Sequence, residues 1–140
     1  MDKLEKLEKA KLYSNDGLNH ARKQDYDMAL DNFHKAFLLF KELGEKLYAA
    51  LQLGNIGSVY RNMEEYNLSL EEYHKALPLF EEIGHKEGIA DQFTNIAYIH
   101  AMKGEIKEAL EYFKKALPLY EEMGSEQKCE FTKQNIKVLE

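Results

Sequence analysis

The sequence repeats itself every 40 residues. Three related segments recur at that spacing, NFHKAFLLFKELG (32–44), EYHKALPLFEEIG (72–84) and YFKKALPLYEEMG (112–124). Residues 11–50 match residues 51–90 at 13 of 40 positions, and residues 51–90 match 91–130 at 14 of 40, where unrelated sequences would share roughly two or three. Because apolar residues within each copy follow helical spacing, a stack of helix-turn-helix units is predicted, not the short strands of a propeller.

Small and aromatic residues recur at fixed places inside this unit. The first helix of each copy has a small residue at the centre of its apolar stripe: Gly17, Gly57 and Ala97. The second helix has an aromatic residue in answer: Phe33, Tyr73 and Phe113. A small residue opposite a ring lets two helices approach closely, so we expect these pairs to meet in each repeat.

Seven helices are predicted, at about 3–22, 27–43, 46–62, 67–83, 87–102, 107–123 and 126–139. Glycines end three of the second helices, where a left-handed residue is favoured: Gly44, Gly84 and Gly124. Pro78 and Pro118 lie inside predicted helices, and we expect each to bend its helix without breaking it.

The order of small residue, aromatic, alanine, aromatic and alanine at these offsets is similar to the tetratricopeptide repeat. The clearest copy, LGNIGSVYRNMEEYNLSLEEYHKALPLFEEIG, resembles the longer-helix variant of LGN-like adaptors and microbial repeat proteins. The resemblance covers three repeats, at about 11–50, 51–90 and 91–130, and a last helix. It implies an all-α, right-handed α-solenoid, and it leaves the ligand open because repeats of this kind have many unrelated partners.

The length of 140 residues predicts one domain, 1–140. In the first repeat Asp16 and Asn19 stand where later repeats are apolar, which indicates a terminal repeat facing water. Helix 126–139 presents Lys133 on the side where a further helix would pack, so we expect it to be a capping helix.

The charge balance restricts the class of partner. With 19 basic and 25 acidic residues, the net charge of −6 disfavours nucleic acid and anionic membranes, which attract basic surfaces. No stretch approaches the ~18 apolar residues of a membrane span. The single cysteine, Cys129, and the charged opening of the chain predict a cytoplasmic protein.

The strong sequence signatures of catalysis, phosphate binding and metal binding are absent. We therefore predict a protein that is not an enzyme, with no catalytic residue, no metal site and no cofactor. Adjacent glutamates recur on the outward side of the second helices and are interpreted as a solvated acidic face: Glu71-Glu72, Glu81-Glu82 and Glu121-Glu122.

The histidines are interpreted without a metal. His20 and His100 belong to the stripe between paired helices and lie two repeats apart, on the order of 20 Å if helices stack at 8–10 Å, so they cannot share an ion. His34 and His74 occupy equivalent outward places and are predicted to be solvated.

The inner faces of the first helices are predicted to line a concave groove. Four asparagines form one column along it: Asn15, Asn55, Asn95 and Asn135. A carboxamide both donates and accepts hydrogen bonds, so such a column suits the peptide groups of an extended chain. The alternative is that these amides are solvated or cap within their own helices.

Apolar residues and arginines surround this column. Exposed apolar side chains beside arginine suit a peptide-binding surface, because burial supplies affinity and arginine supplies orientation. The predicted peptide-binding residues are Asn15, Leu18, Arg22, Leu51, Asn55, Arg61, Asn95, Tyr98, Phe131 and Asn135.

We therefore expect an interaction module, adaptor or scaffold, that binds a peptide segment with acidic and apolar residues. Some proteins of the resembled family clamp a terminal carboxylate with Lys, Arg and Asn. This chain keeps Asn55 and Asn95 of that pattern, but Leu18 and Asp91 stand at other clamp positions, so a chaperone-tail clamp is disfavoured. Two alternatives are a self-associating module that forms a weak homo-oligomer, and an engineered or excised repeat segment without a ligand.

Overall fold

A computed structural model describes all 140 residues and contains seven α-helices and no strand. The helices are α1 Lys3–Arg22, α2 Tyr26–Glu42, α3 Lys46–Asn62, α4 Tyr66–Glu82, α5 Lys86–Met102, α6 Ile106–Met123 and α7 Glu126–Leu139. Their bounds agree with the predicted ones to within one residue. Helices α4 and α6 run through Pro78 and Pro118 without a break, so the prediction of an all-helical fold is confirmed.

Six short turns connect the helices, and each contains one left-handed residue. Gly44, Gly84 and Gly124 have φ of 73°, 64° and 70°, which confirms their predicted role. The sequence did not reveal that Gln24 and Glu64 adopt the same conformation, at φ 61° and 62°. A side chain there costs roughly 1–2 kcal/mol relative to right-handed backbone.

The chain divides into two compact units, Met1–Leu79 and Phe80–Glu140. The first unit contains α1, α2, α3 and most of α4, and the second contains the end of α4 with α5, α6 and α7. The organisation of 1–140 as a single domain remains a prediction.

In the first unit α1 and α2 form an antiparallel pair. Ala10, early in α1, clusters with Ala36 and Phe40, late in α2. Further along α1, a methyl group on Gly17 would lie 2.6 Å from the ring of Phe33. At position 17 only a glycine leaves room for the ring of Phe33.

The next pair, α3 and α4, uses the same arrangement with an added hydrogen bond. A methyl group on Gly57 would lie 2.7 Å from the Tyr73 ring. The buried Ser69 hydroxyl donates to the Gly57 carbonyl at 2.7 Å, and the hydroxyls of Tyr73 and Ser58 lie 2.9 Å apart. The predicted meeting of small and aromatic residues is confirmed in both pairs.

In the second unit α6 packs against both α5 and α7. Ala90 of α5, Ala116 and Tyr120 of α6 and Cys129 of α7 form one buried cluster. Cys129 is thus a small core residue. On the outer side of α7, Lys133 is exposed.

Two histidines at the ends of first helices each meet a carboxylate five residues later. His100 Nδ1 lies 2.9 Å from Glu105 Oε1, and His20 Nδ1 lies 3.3 Å from Asp25 Oδ2. The hydrogen bond from His100 is the main reason that the pKa of Glu105 falls below its ordinary value. These contacts connect the end of one helix to the turn that follows it.

None of the seven helices has the length and apolar character needed to cross a membrane.

Candidate functional site

A groove of about 470 Å³ lies between α1 and α3 in the first unit, with α2 beneath it. It is lined by Lys11, Ser14, Asn15, Leu18, Phe40, Tyr48, Leu51, Gln52 and Asn55. Four of the predicted binding residues are thus brought together: Asn15, Leu18, Leu51 and Asn55. The volume falls within the usual range of about 300–1,000 Å³ for ligand sites.

The groove offers apolar surface next to amides that have no partner in the protein. Leu18 and Leu51 keep 38% and 43% of their surface exposed. Asn15 is exposed and Asn55 is half-buried, and neither side-chain amide hydrogen-bonds to another protein group. Both amides can therefore donate to and accept from a bound chain.

Gln52 is one of the groove residues that the sequence analysis did not single out. Gln52 is only 3% exposed, and its Oε1 atom is buried with no hydrogen-bond partner. Gln92, one repeat later in α5, is 5% exposed and has the same unpaired oxygen. A buried acceptor without a donor costs about 1–3 kcal/mol. In the sequence, the signal that could have identified this pair is the recurrence of glutamine at the 40-residue spacing.

The second unit has a smaller depression of about 240 Å³ at the corresponding end of its helices. It is lined by Asp91, Thr94, Tyr120, Gln127, Lys128 and Phe131. Phe131, a predicted binding residue, is 55% exposed. This depression has one large apolar side chain at its rim and a polar network at its base.

That network is centred on Asp91. The Tyr120 hydroxyl donates to Asp91 Oδ1 at 2.6 Å, and Lys128 Nζ donates to both carboxylate oxygens at 3.0 and 3.2 Å. Lys128 also reaches Glu87 at 3.2 Å and lies over the Tyr120 ring at 5.5 Å. The charge of Asp91 is therefore neutralised by its neighbours.

The network shifts two pKa values. Burial, and then the hydrogen bond to Asp91, raises the pKa of Tyr120 well above its ordinary value. Burial lowers the pKa of Lys128, but the hydrogen bonds and charges of Asp91 and Glu87 outweigh it, and the net shift is upward. Both groups therefore keep their protons at neutral pH, which preserves the hydrogen bonds to Asp91.

The structure does not bring the two predicted arginines into the groove of the first unit. Arg22 is exposed and donates to Asn19 Oδ1 at 3.0 Å on its own helix. Arg61 is half-buried near the end of α3. The cation that lines the groove is Lys11.

The remaining predicted residues lie in the second unit. Asn95 is half-buried in α5, and Tyr98, one turn later, is 41% exposed. Asn135 donates from Nδ2 to the Phe131 carbonyl at 2.8 Å, which engages one of its amide hydrogens within α7. The asparagine column thus holds amides in different states of hydrogen bonding.

The interpretation of the paired glutamates as uniformly solvated is wrong at one position. Glu72 is only 8% exposed, although its neighbour Glu71 is exposed. The side chain of Glu72 lies beside a cavity formed with α2 and α3, and Lys75 bonds to its outer oxygen. The period showed which helix carries the pair, but the packing decides which member is covered.

A family model of the tetratricopeptide repeat matches residues 47–122. A search of curated proteins returned no significant match.

Three solved structures share the fold. Aspartyl phosphate phosphatase F from Bacillus subtilis superposes with a TM-score of 0.91 at 19% identity, over 96% of this chain and 35% of the other. The apo form of RapI has a TM-score of 0.88 at 19% identity, over 95% and 48%. The TPR2AB domain of yeast Sti1, in complex with pHSP90, has a TM-score of 0.74 at 19% identity, over 92% and 48%. The chain thus spans about a third to a half of these three structures.

Proposed function

Because the chain belongs to the tetratricopeptide repeat family, we propose that it is a non-enzymatic interaction module that binds a peptide segment of a partner protein. The inner groove of the first unit is the proposed binding site. Solenoids of this kind use the concave surfaces of their stacked helices for binding. With one cysteine and no disulfide, the chain suits the reducing cytoplasm as an adaptor or scaffold.

The observation that carries this proposal is the combination of exposed apolar surface and unpartnered amides in one groove. Covering the exposed side chains of Leu18 and Leu51 contributes to the binding free energy, because burial of apolar surface supplies affinity. Asn15 and Asn55 supply donors and acceptors for a peptide backbone. A backbone N–H that reaches Gln52 Oε1 would satisfy an acceptor that the protein leaves unpaired.

The charge of the groove favours an acidic ligand. Lys11 lines the groove, and no acidic side chain does, although the whole protein has a net charge of −6. A ligand with Asp or Glu beside an apolar anchor therefore matches the groove of the first unit. In the second unit, Phe131 offers a further contact for an apolar side chain of the ligand. Asn95, Tyr98 and Asn135 are also proposed contacts. Arg22 and Arg61 do not line the groove, and we propose them as contacts that flank it.

The structure of the yeast Sti1 domain with pHSP90 supports the proposal at the level of the fold. In this chain, Leu18 and the neutralised Asp91 occupy positions where a carboxylate clamp needs cations or amides. We therefore propose an internal segment with an apolar anchor as the ligand, and not a free chain terminus.

A peptide-display selection on the immobilised protein tests the proposal. We expect enriched peptides to combine an acidic residue with a large apolar one. By titration calorimetry, Asn15→Ala/Asn55→Ala should weaken the selected peptide about tenfold while the circular dichroism spectrum stays unchanged. Glu81→Ala, on an exposed site of α4, is the matched control.

A selection that enriches no peptide, or a peptide that binds the double variant normally, would contradict the proposed site. Concentration-dependent dimers that exclude the selected peptide would instead support the self-associating alternative.

A further inference from the structure

A second cavity lies on the other side of the first unit, between α2, α3 and α4. It has a volume of about 470 Å³ and shares no lining residue with the peptide groove. Its walls are mostly apolar and include Phe37, Ala49, Leu53, Pro78 and Leu79. Such a space is large enough for a small organic molecule.

A buried carboxylate faces this cavity. Glu72 is 8% exposed and lines the apolar wall. Its Oε1 atom accepts from Lys75 at 3.1 Å, whereas Oε2 is buried without any partner. A buried carboxyl oxygen in an apolar surrounding is costly unless a donor reaches it, so the cavity lacks one hydrogen-bond donor.

The other repeats show what the equivalent positions usually hold. In the first repeat Lys35 Nζ lies 5.6 Å from the centre of the Tyr13 ring. In the third repeat Lys115 lies 5.9 Å from the Phe93 ring and 4.9 Å from the Tyr112 ring.

The second repeat keeps the lysine and lacks the rings. Leu53 stands at the position of Tyr13 and Phe93, Glu72 at that of Tyr112, and Lys75 at that of Lys35 and Lys115. The cavity therefore lies where this repeat has a lysine with no aromatic ring of its own.

We propose that this cavity binds a small aromatic molecule that carries a ring N–H, of the indole class. The ligand ring occupies the place that the rings of Tyr13 and Phe93 have in the other repeats, next to Leu53. The Lys75 ammonium then lies over the face of that ring. The N–H donates to the unpartnered Oε2 atom of Glu72.

The charges at the cavity select a neutral ligand. Lys41, Lys46, Lys75 and His34 line the cavity together with the single acid Glu72. A ligand with its own ammonium group would meet the ammonium groups of Lys41 and Lys75, so like-charge repulsion would weaken its binding. A neutral N–H satisfies the Glu72 oxygen without adding charge.

Titration calorimetry with indole and indene tests the hydrogen bond directly. Indene has the same bicyclic shape without the N–H group, so indole should bind about tenfold tighter or more. Tryptamine, which adds an ammonium group, should bind more weakly than indole. In Glu72→Met the advantage of indole over indene should disappear, and in Glu71→Met, the exposed neighbour, it should persist.

Occupancy of the cavity is tested by restoring the rings of the third repeat. The variant Leu53→Phe/Glu72→Tyr should lose indole binding by at least tenfold, and Leu53→Phe alone should weaken it while circular dichroism verifies the fold. Equal affinities for indole and indene, or unchanged indole binding by the double variant, would overturn the proposal. Binding of N-acetyltryptophanamide without binding of indole would also overturn it, in favour of a protein segment.

Discussion

The fully buried hydroxyl of Ser69 donates to the carbonyl oxygen of Gly57 at 2.7 Å, which joins α4 to α3. The same glycine leaves no room for a side chain, because a methyl group there would lie 2.7 Å from the Tyr73 ring. The close approach and the hydrogen bond therefore depend on each other.

Gly57→Leu should destabilise the protein severely. The added side chain overpacks a buried ring, which costs typically about 1–3 kcal/mol or more, and it separates Ser69 from its acceptor. Thermal unfolding measures the effect, and Glu81→Ala on the exposed face should stay within about ±0.5 kcal/mol. An unchanged melting temperature for Gly57→Leu would show that the helix pairing is wrong.

Glu64→Gly should stabilise the protein. Glu64 has φ 62° in the turn between α3 and α4, and Gly104 holds the same turn position one repeat later with φ 79°. Glycine removes the left-handed strain of roughly 1–2 kcal/mol. It also gives the unfolded chain more conformational entropy, which offsets part of this, so we expect the free energy of unfolding to rise by about 0.5–1 kcal/mol.

Chemical denaturation measures this difference. Glu65→Gly is the control at the adjacent position, where φ is not positive, and it should not stabilise. Gly104→Ala should destabilise for the converse reason. Equal effects of glycine at positions 64 and 65 would contradict the assigned turn geometry.

The network around Asp91 should make the protein sensitive to alkali. The pKa of Tyr120 is raised above 10.0 in the folded state, so the unfolded chain loses this proton first as pH increases. The pKa of Lys128 is also raised above 10.5, and the folded state again holds its proton longer. Both contributions are complete at neutral pH and are lost as pH rises from about 10 through the folded-state values.

Tyr120→Phe tests this account. The variant should be less stable than the parent at pH 7, because it loses the hydrogen bond to Asp91, and the difference should shrink above pH 10. Melting temperatures across that range give the answer, with Tyr48→Phe, an exposed tyrosine, as the control. A difference that stays constant with pH would exclude the proposed role of the tyrosine proton.

Binding of a selected peptide should weaken modestly with salt. Lys11 is an exposed cation in the groove, and exposed ion pairs contribute at most about 1 kcal/mol. Screening at an ionic strength above about 0.1 M reduces that part, whereas the contacts with Leu18 and Leu51 persist. Calorimetry at two salt concentrations checks this, and Lys11→Gln should flatten the salt dependence.

Periodicity predicted most of the fold because it records helix contacts directly. The pairing of Gly57 with Tyr73 was predictable, since small and aromatic residues alternate at one spacing in every repeat. The groove residues Asn15, Leu18, Leu51 and Asn55 were placed together for the same reason, because the helical period puts them on the inner faces of the first helices.

Interactions outside the period were not predictable. The contact of Lys128 with Asp91 joins residues 37 positions apart. It occurs in one repeat only, so the repeat pattern does not predict it. The burial of Glu72 depends on the neighbouring helices, whereas the adjacent residue Glu71 is exposed to water. The orphaned oxygen of Gln52 required coordinates, because sequence spacing shows where a side chain starts and not which atom lacks a partner.

Chemical-shift mapping of a selected peptide on the ¹⁵N-labelled protein tests the central claim most directly. The account predicts the largest shifts at Asn15, Leu18, Leu51 and Asn55, on the inner faces of α1 and α3. Shifts confined to exposed positions of α2 and α4, such as Lys35 and Glu81, with the groove residues unmoved, would contradict it.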